Sequence, residues 1–164
     1  MDVEMQRVAL DEKPVLANLL QLYLHDHSEF DGYSIGEDGL YFYRYFDHYW
    51  IEEGRHAFLI RVDGEIAGFA MIRDATNTGD THSIAEFLVL RKFRRRGVGT
   101  EVVKRVFDSF PGRWKVQQQP FNLSAQAFWR RVISDYTGGD YTESTVFYDG
   151  EDRPCQEFTS PGKQ

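Results

Sequence analysis

The residues of this chain best equipped for chemistry lie in one run, Phe87-Leu88-Val89-Leu90-Arg91-Lys92-Phe93-Arg94-Arg95-Arg96-Gly97-Val98-Gly99-Thr100. A short apolar segment stops at a basic loop. Two spaced glycines then open a stretch in which Val102, Val103, Val106 and Phe107 recur with helical period. This is the make-up of an anion cradle. Glycine lets backbone approach a ligand closely, and a helix start presents unpaired N–H groups at the positive end of its dipole. A phosphate or pyrophosphate suits such a site, and arginines add charge-assisted, bidentate contacts.

Two well-known phosphate loops are excluded. The dinucleotide fingerprint needs three glycines in G-x-G-x-x-G and an acidic residue about 20 positions on. The Walker loop needs a terminal Gly-Lys-Ser/Thr. Neither pattern is met. What remains is Arg94-x-x-Gly97-x-Gly99 behind Glu86-Phe87-Leu88-Val89. This resembles the acyl-CoA-binding signature of the GNAT superfamily of N-acyltransferases, Q/R-x-x-G-x-G/A after a hydrophobic strand. Downstream, Asn122-Leu123-Ser124-Ala125-Gln126-Ala127-Phe128-Trp129 resembles the family's N-x-x-A-x-x-F-Y element. The helix there also stands on its own: Asn122 or Ser124 can cap it, and Ala125, Phe128, Trp129, Val132 and Ile133 follow at helical spacing.

The resemblance implies acetyl-CoA as co-substrate. Its contacts would come from Phe87, Leu88, Val89, Arg94, Arg95, Arg96, Gly97, Val98, Gly99 and Thr100, with Asn122, Ala125, Phe128 and Trp129 along the pantetheine arm. The Val89 amide is the implied thioester-carbonyl contact. As plain sequence, Phe128 reads as core, and Trp129 reads equally as core or arm contact. One departure matters: the family often has a tyrosine, an acid for the departing thiolate, where this chain has Trp129. An indole N–H is a donor but a very poor acid. Tyr136, seven residues on, or water is left to supply that proton.

The elements that must position these residues follow in order. Arg7 to Leu10 reads as a first strand, and Pro14 opens a helix through Val15, Leu16, Leu19, Leu20, Leu22 and Tyr23. Gly32, Gly36 and Gly39 mark a loop, and aromatic-rich Leu40 to Trp50 reads as a second helix. His56–Val62 and Ile66–Ile72 flank Asp63-Gly64, a hairpin signal. After a polar turn, Ala75 to Thr81, come a strand from Ser83 to Leu90, the helix from Gly99 to about Phe110, and a strand at Trp114–Gln117. The Asn122 helix and two terminal strands near 141–147 and 155–159 complete the chain. This order agrees with the family's mixed α/β fold: a central, mostly antiparallel twisted sheet flanked by about four helices. By resemblance, a bulged strand at Glu86–Leu90 splays from Trp114–Gln118, and acyl-CoA lies in the opening. The likeness covers nearly the whole chain and is specific from Ser83 to Trp129.

With 164 residues, 41% hydrophobic and 15% aromatic, the chain fits one domain over 1–164 with a sizeable core. The single cysteine, Cys155, excludes an internal disulfide framework and suits a reducing compartment. No apolar run reaches membrane-spanning length, and the start carries no signal-peptide pattern, so a cytoplasmic location is the expectation. A net charge of −7 with one basic loop favours a single polyphosphate ligand over nucleic acid, which draws on a wider basic face. A homodimer is left open.

Acetyl transfer from a thioester needs a neutral amine, and a lysine-like amine is deprotonated at pH 7 only at a cost of roughly 4.6 kcal/mol. Glu86 is the first candidate base, with a solvent-facing sheet residue as its plain alternative. His82 titrates in the useful range but reads as a surface histidine, and Tyr136 reads equally as acid or packing residue. His25 and His27 lack spaced partners for a metal, and none is expected. By resemblance, the acceptor sits over the first two helices and their loop, where Asp26, Glu29, Asp31, Glu37, Asp38 and Asp47 accompany Tyr33 and Tyr43. Acidic groups with aromatic faces suit a cationic amine, and Glu29, Asp31 and Tyr33 are its named contacts. The competing reading is a non-catalytic acyl-CoA-binding or sensing module.

Overall fold

A computed structural model describes residues 1–163. Its strands form two sheets. In the first, β1 (Val3–Arg7), β2 (Arg55–Val62), β3 (Glu65–Arg73) and β4 (Ser83–Val89) run in that order, each antiparallel to the next. In the second, β7 (Glu151–Ser160) lies between β5 (Gly112–Gln117) and β6 (Thr142–Tyr148). The β2–β3 hairpin turns on Asp63 (φ 50°) and Gly64 (φ 82°), the left-handed pair that a two-residue primed turn demands. Asp149 (φ 51°) and Gly150 (φ 80°) turn β6 into β7 in the same way, a signal the sequence reading passed over.

Helix α1 (Lys13–Asp31) buries Leu16, Leu20, Tyr23 and Leu24 on one face of the first sheet, against Phe69, Met71 and Leu88. The short helix α2 (His48–Ile51) lies between α1 and β2, and α3 (Ala75–Thr78) joins β3 to β4. On the other face, α4 (Val98–Ser109) sends Val98, Val102, Val103, Val106 and Phe107 into a core shared with Ala67, Ala70 and Ile72. Trp114 of β5 and Val132 and Ile133 of α5 (Leu123–Thr137) complete that core. Alternation along β3 therefore separates two cores, one on each face. Each fully buried aliphatic or aromatic side chain there contributes roughly 1.5–3 kcal/mol of transfer free energy.

The two sheets meet at one point. The His82 N–H donates to the Arg113 carbonyl (2.8 Å) and the Lys115 N–H donates to the His82 carbonyl (3.0 Å), a parallel bridge centred on Trp114. From that vertex β4 and β5 diverge.

Two expectations need correction. The first strand is Val3–Arg7, earlier than read, because its register is set by pairing with β2 from Val3↔Val62 to Arg7↔Phe58. Leu40 to Trp50 is helical only at His48, Tyr49 and Trp50, the first three residues of α2. Aromatic side chains lose rotamer freedom in a helix. Here the Gln21 side chain meets the backbone groups of Tyr41 instead, accepting from its N–H (2.8 Å) and donating to its carbonyl (2.9 Å).

Candidate active site

Strand β4 carries a bulge. Met71 pairs with Glu86 and Ile72 with Ile84, leaving Ala85 unpaired. Past the bulge, the Leu90 N–H donates to the Ala67 carbonyl (2.7 Å), and Leu88 pairs with Phe69. Antiparallel alternation then turns the amides of Phe87 and Val89 away from β3, toward the gap with β5. The Val89 carbonyl, on the same edge, accepts from Arg94 Nε at 2.7 Å. Gly68 fixes how closely β3 and β4 approach: with φ at 158°, a Cβ there would fall 1.9 Å from the Leu88 carbonyl oxygen.

The basic loop is a backbone cradle. Buried Phe93 anchors it, and both Arg95 (φ 61°) and Gly97 (φ 79°) take the left-handed conformation. Left-handed residues spaced in this way turn N–H groups inward as an anion nest. Gly97 caps α4, its carbonyl accepting from the Glu101 N–H (3.0 Å), so the amides of Val98, Gly99 and Thr100 have no acceptor within the helix. The arginines divide the work. Arg94 braces the Val89 carbonyl and lies 3.8 Å from Asp26, which also meets Arg91 at 3.3 Å. Arg95 and Arg96 are exposed, with the Arg96 guanidinium 5.9 Å from the Phe93 ring centre.

Across the gap, Asn122 caps α5, its Oδ1 accepting from the Ala125 N–H at 3.1 Å. Gln126 ties down the preceding loop by donating to the carbonyls of Gln119 and Pro120, each at 3.0 Å. Phe87 stacks on Phe128 (6.0 Å between centroids, 12°) and meets Trp129 edge-on (5.5 Å, 64°). Trp129 is buried, and Ala125 and Phe128 pack against the same core. The structure thus gathers the glycine loop, the free edge of β4 and the start of α5 around one opening.

Glu86 faces the α1 side of that opening. Its carboxylate accepts from the Tyr43 hydroxyl (3.4 Å) rather than meeting open solvent. Burial pushes its pKa up to about 7, although hydrogen bonds from Tyr23 and Tyr43 and the charge of Arg153 act against the rise. Burial and the Glu86 charge in turn push Tyr23 and Tyr43 well above the ordinary tyrosine value, and Tyr49 up to about 12. His27 stacks on Tyr23 (3.9 Å) and is lowered by burial.

Of the acidic residues on this side, Asp31 reaches the opening. It accepts from the Tyr33 N–H (3.0 Å) and from Gln119 Nε2 (3.4 Å), while the Tyr33 hydroxyl donates to Asp149 (3.2 Å). The end of α1 therefore spans from the first sheet to loops of the second. Glu29 is exposed on α1. Asp26 is held by arginines, Asp47 by Lys13 (2.6 Å), and Asp38 accepts from the Leu40 N–H (3.1 Å).

Two candidates stand elsewhere. The Tyr136 hydroxyl donates to Asp108 (2.8 Å) and contacts Ser160 (2.8 Å), toward the far end of α5. The His82 ring accepts from the Ala75 N–H (2.9 Å) and donates to the Pro111 carbonyl (2.8 Å), so both nitrogens are engaged at the vertex. Two residues the sequence reading missed, Tyr23 and Arg153, flank Glu86 electrostatically. Tyr23 sits in an apolar helical stripe and reads as core. Arg153 follows the overlooked Asp149-Gly150 turn, whose recognition would have placed it.

Among the described residues no helix is long and apolar enough to cross a membrane. The fold matches many solved structures. An acetyltransferase from Thermus thermophilus superposes with a TM-score of 0.69 at 17% identity, covering 97% of each chain. The ribosomal-protein-S18-alanine N-acetyltransferase from Escherichia coli gives 0.63 at 11%, covering 99% of this chain and 97% of that one. Spermidine N-acetyltransferase from Vibrio cholerae, in complex with CoA and spermine, gives 0.62 at 10%, covering 96% and 95%. A comparison with curated protein sequences finds no match. The family model for acetyltransferases of the GNAT family matches residues 17–133, spanning the bulged strand, the cradle and the start of α5. The chain belongs to the acetyltransferase (GNAT) family.

Proposed function

We propose that this protein, as one domain over residues 1–164, transfers an acetyl group from acetyl-CoA to a primary amine. The observation that carries this reading is the opening between β4 and β5, with the Val89 amide on its free edge and the Gly97–Thr100 amides at its mouth. The residues present fit the ligand. A pyrophosphate suits the left-handed cradle at Arg95–Gly97, and Arg95 and Arg96 keep exposed guanidinium groups for it. Asn122, Ala125, Phe128 and Trp129 would flank the pantetheine arm. The Val89 N–H would polarise the thioester carbonyl, a kind of contact worth about 3–4 kcal/mol where it has been removed elsewhere. Glu86 would accept the amine proton, directly or through one water.

The acceptor enters on the α1 side. Glu86 and Asp31 favour a positive group there, and Tyr33 and Tyr43 offer aromatic faces. Similar folds act on spermidine and on a ribosomal-protein alanine, so both small and protein amines stand within reach of this architecture. A cytoplasmic location fits the reduced single cysteine.

A second reading, a non-catalytic acyl-CoA-binding module, draws on Trp129, which brings no hydroxyl to the cleft. Thiol release from acetyl-CoA with a panel of polyamines, aminoglycosides, amino acids and peptides separates the two. Amine-dependent release supports transfer. Tight CoA binding without release with any amine supports the binding module.

A further inference from the structure

We propose that the Glu86 carboxyl both takes the proton from the attacking amine and hands it to the departing thiolate, so that one side chain serves as base and acid. This rests on the acetyl-transfer reading of the cleft. It follows from where the other proton donors stand.

Trp129 holds the place from which a tyrosine would act, with its ring buried between Phe87 (5.5 Å) and Phe128 (5.1 Å). Tyr136 lies about 10 Å further along the helix axis, and its hydroxyl is bound to Asp108 and Ser160. Both nitrogens of His82 are engaged. Tyr23 and Tyr43 border the site, but burial and the neighbouring Glu86 charge make each a weaker acid than an ordinary tyrosine. Glu86 remains. It sits one residue past the bulge and accepts from Tyr43. The other groups coupled to its charge are Tyr23 and Asp31 of α1, Tyr49 of α2 and Arg153 of β7.

The step balances with no further reactant. The amine lone pair attacks the thioester carbon, and the carbonyl electrons move to oxygen. The N–H proton passes to a Glu86 oxygen. The C=O bond re-forms, the C–S bond breaks with its electrons on sulfur, and the Glu86 O–H proton goes to that sulfur. Amide and thiol leave, and Glu86 is a carboxylate again. With Glu86 near 7 and an ordinary thiol near 8.5, the last transfer favours the thiol by about thirtyfold.

The test compares wild type with Glu86→Gln, using an alkyl amine and a weakly basic aromatic amine that is already neutral at pH 7. The expected result is a loss of at least about tenfold in kcat with both amines, since the weakly basic acceptor still needs the thiolate protonated. With the aromatic amine, the wild-type kcat should rise once near pH 7 and stay level to pH 10, with no fall from a separate tyrosine acid. Full activity of Glu86→Gln with the aromatic amine, or a descending limb near pH 10, overturns the proposal. A second readout needs no turnover: infrared difference spectra of the free protein should show a neutral carboxyl band, absent in Glu86→Gln, that titrates near pH 7. A carboxyl ionised throughout from pH 5.5 upward overturns the dual role even if acetyl transfer is intact. Absence of thiol release with every amine instead sinks the transfer reading itself.

Discussion

The ring of Phe128 lies over Gly99, so that a Cβ at Gly99 would stand 3.2 Å from Cζ and 3.3 Å from Cε2 of that ring. Val89 Cγ2 would be 3.6 Å away. The glycine therefore sets how closely α4, α5 and the free edge of β4 approach at the mouth of the cleft. Gly99→Ala should cost about 1–2 kcal/mol in denaturant unfolding and raise the KM for acetyl-CoA. In the double variant with Phe128→Ala the two losses should couple by about 1 kcal/mol or more. Strict additivity would show that this contact is not what the glycine protects.

Asp26 competes for the loop's cations, holding Arg91 at 3.3 Å and Arg94 at 3.8 Å. Both pairs are largely exposed, so each adds little stability. Asp26→Asn should leave the melting temperature nearly unchanged and tighten CoA binding by roughly two- to fivefold at low salt, an advantage that fades as salt screens it. Calorimetry at two ionic strengths checks this, and unchanged affinity at both removes Arg91 and Arg94 from the proposed phosphate site.

Asn122 has a structural duty in addition to any contact with ligand. Its Oδ1 caps α5, and Asn122→Ala should cost about 1 kcal/mol of stability. Asn122→Asp keeps the cap and should restore that stability. If both variants raise the KM for acetyl-CoA alike, the side-chain amide itself meets the cofactor. If only the alanine variant does, the effect travels through the helix end.

Glu86 binds its proton more tightly in the fold than in the unfolded chain, since burial lifts it from 4.5 to about 7. Ionising it therefore works against folding, and stability falls as pH rises from about 4.5 through 7. The full deficit above that range is on the order of 3 kcal/mol. Glu86→Gln should match wild type near pH 4 and exceed it at pH 8.5. Urea unfolding at the two pH values decides the point. Equal stability at pH 8.5 would mean that the carboxylate is better solvated than its tyrosine neighbours suggest.

Much of the cleft could be read from sequence because its parts are local. The run from Glu86 to Phe107 combines strand, left-handed turn and amphipathic helix within one segment, and each signal agrees with its neighbours. Asn122 and Ser124 both offer a cap by residue type, and the structure uses Asn122. The acceptor side was less legible. The segment 32–47 takes its shape from a tertiary clamp, Gln21 on the Tyr41 backbone, which no local pattern encodes. Glu86 carries no mark of its environment, since its burial comes from Tyr23, Tyr43 and Tyr49 on other elements. The acidic count alone does not say which carboxylates face the opening: Asp26 and Asp47 pair with cations, and Glu29 is exposed.

The meeting of the two sheets at His82 and Trp114 bears on how the molecule comes into being. Every ladder of the first sheet joins residues between 3 and 89, and every ladder of the second joins residues between 112 and 160. Each half pairs its own strands without a strand from the other. The gap between β4 and β5 exists only once the halves dock through that junction and the shared core around α4. The cleft is thus an interface within a single chain, and neither half alone encloses the proposed place for acetyl-CoA. A ligand seated there acts as a strut between two separately built pieces, stabilising their docking in proportion to its affinity and concentration.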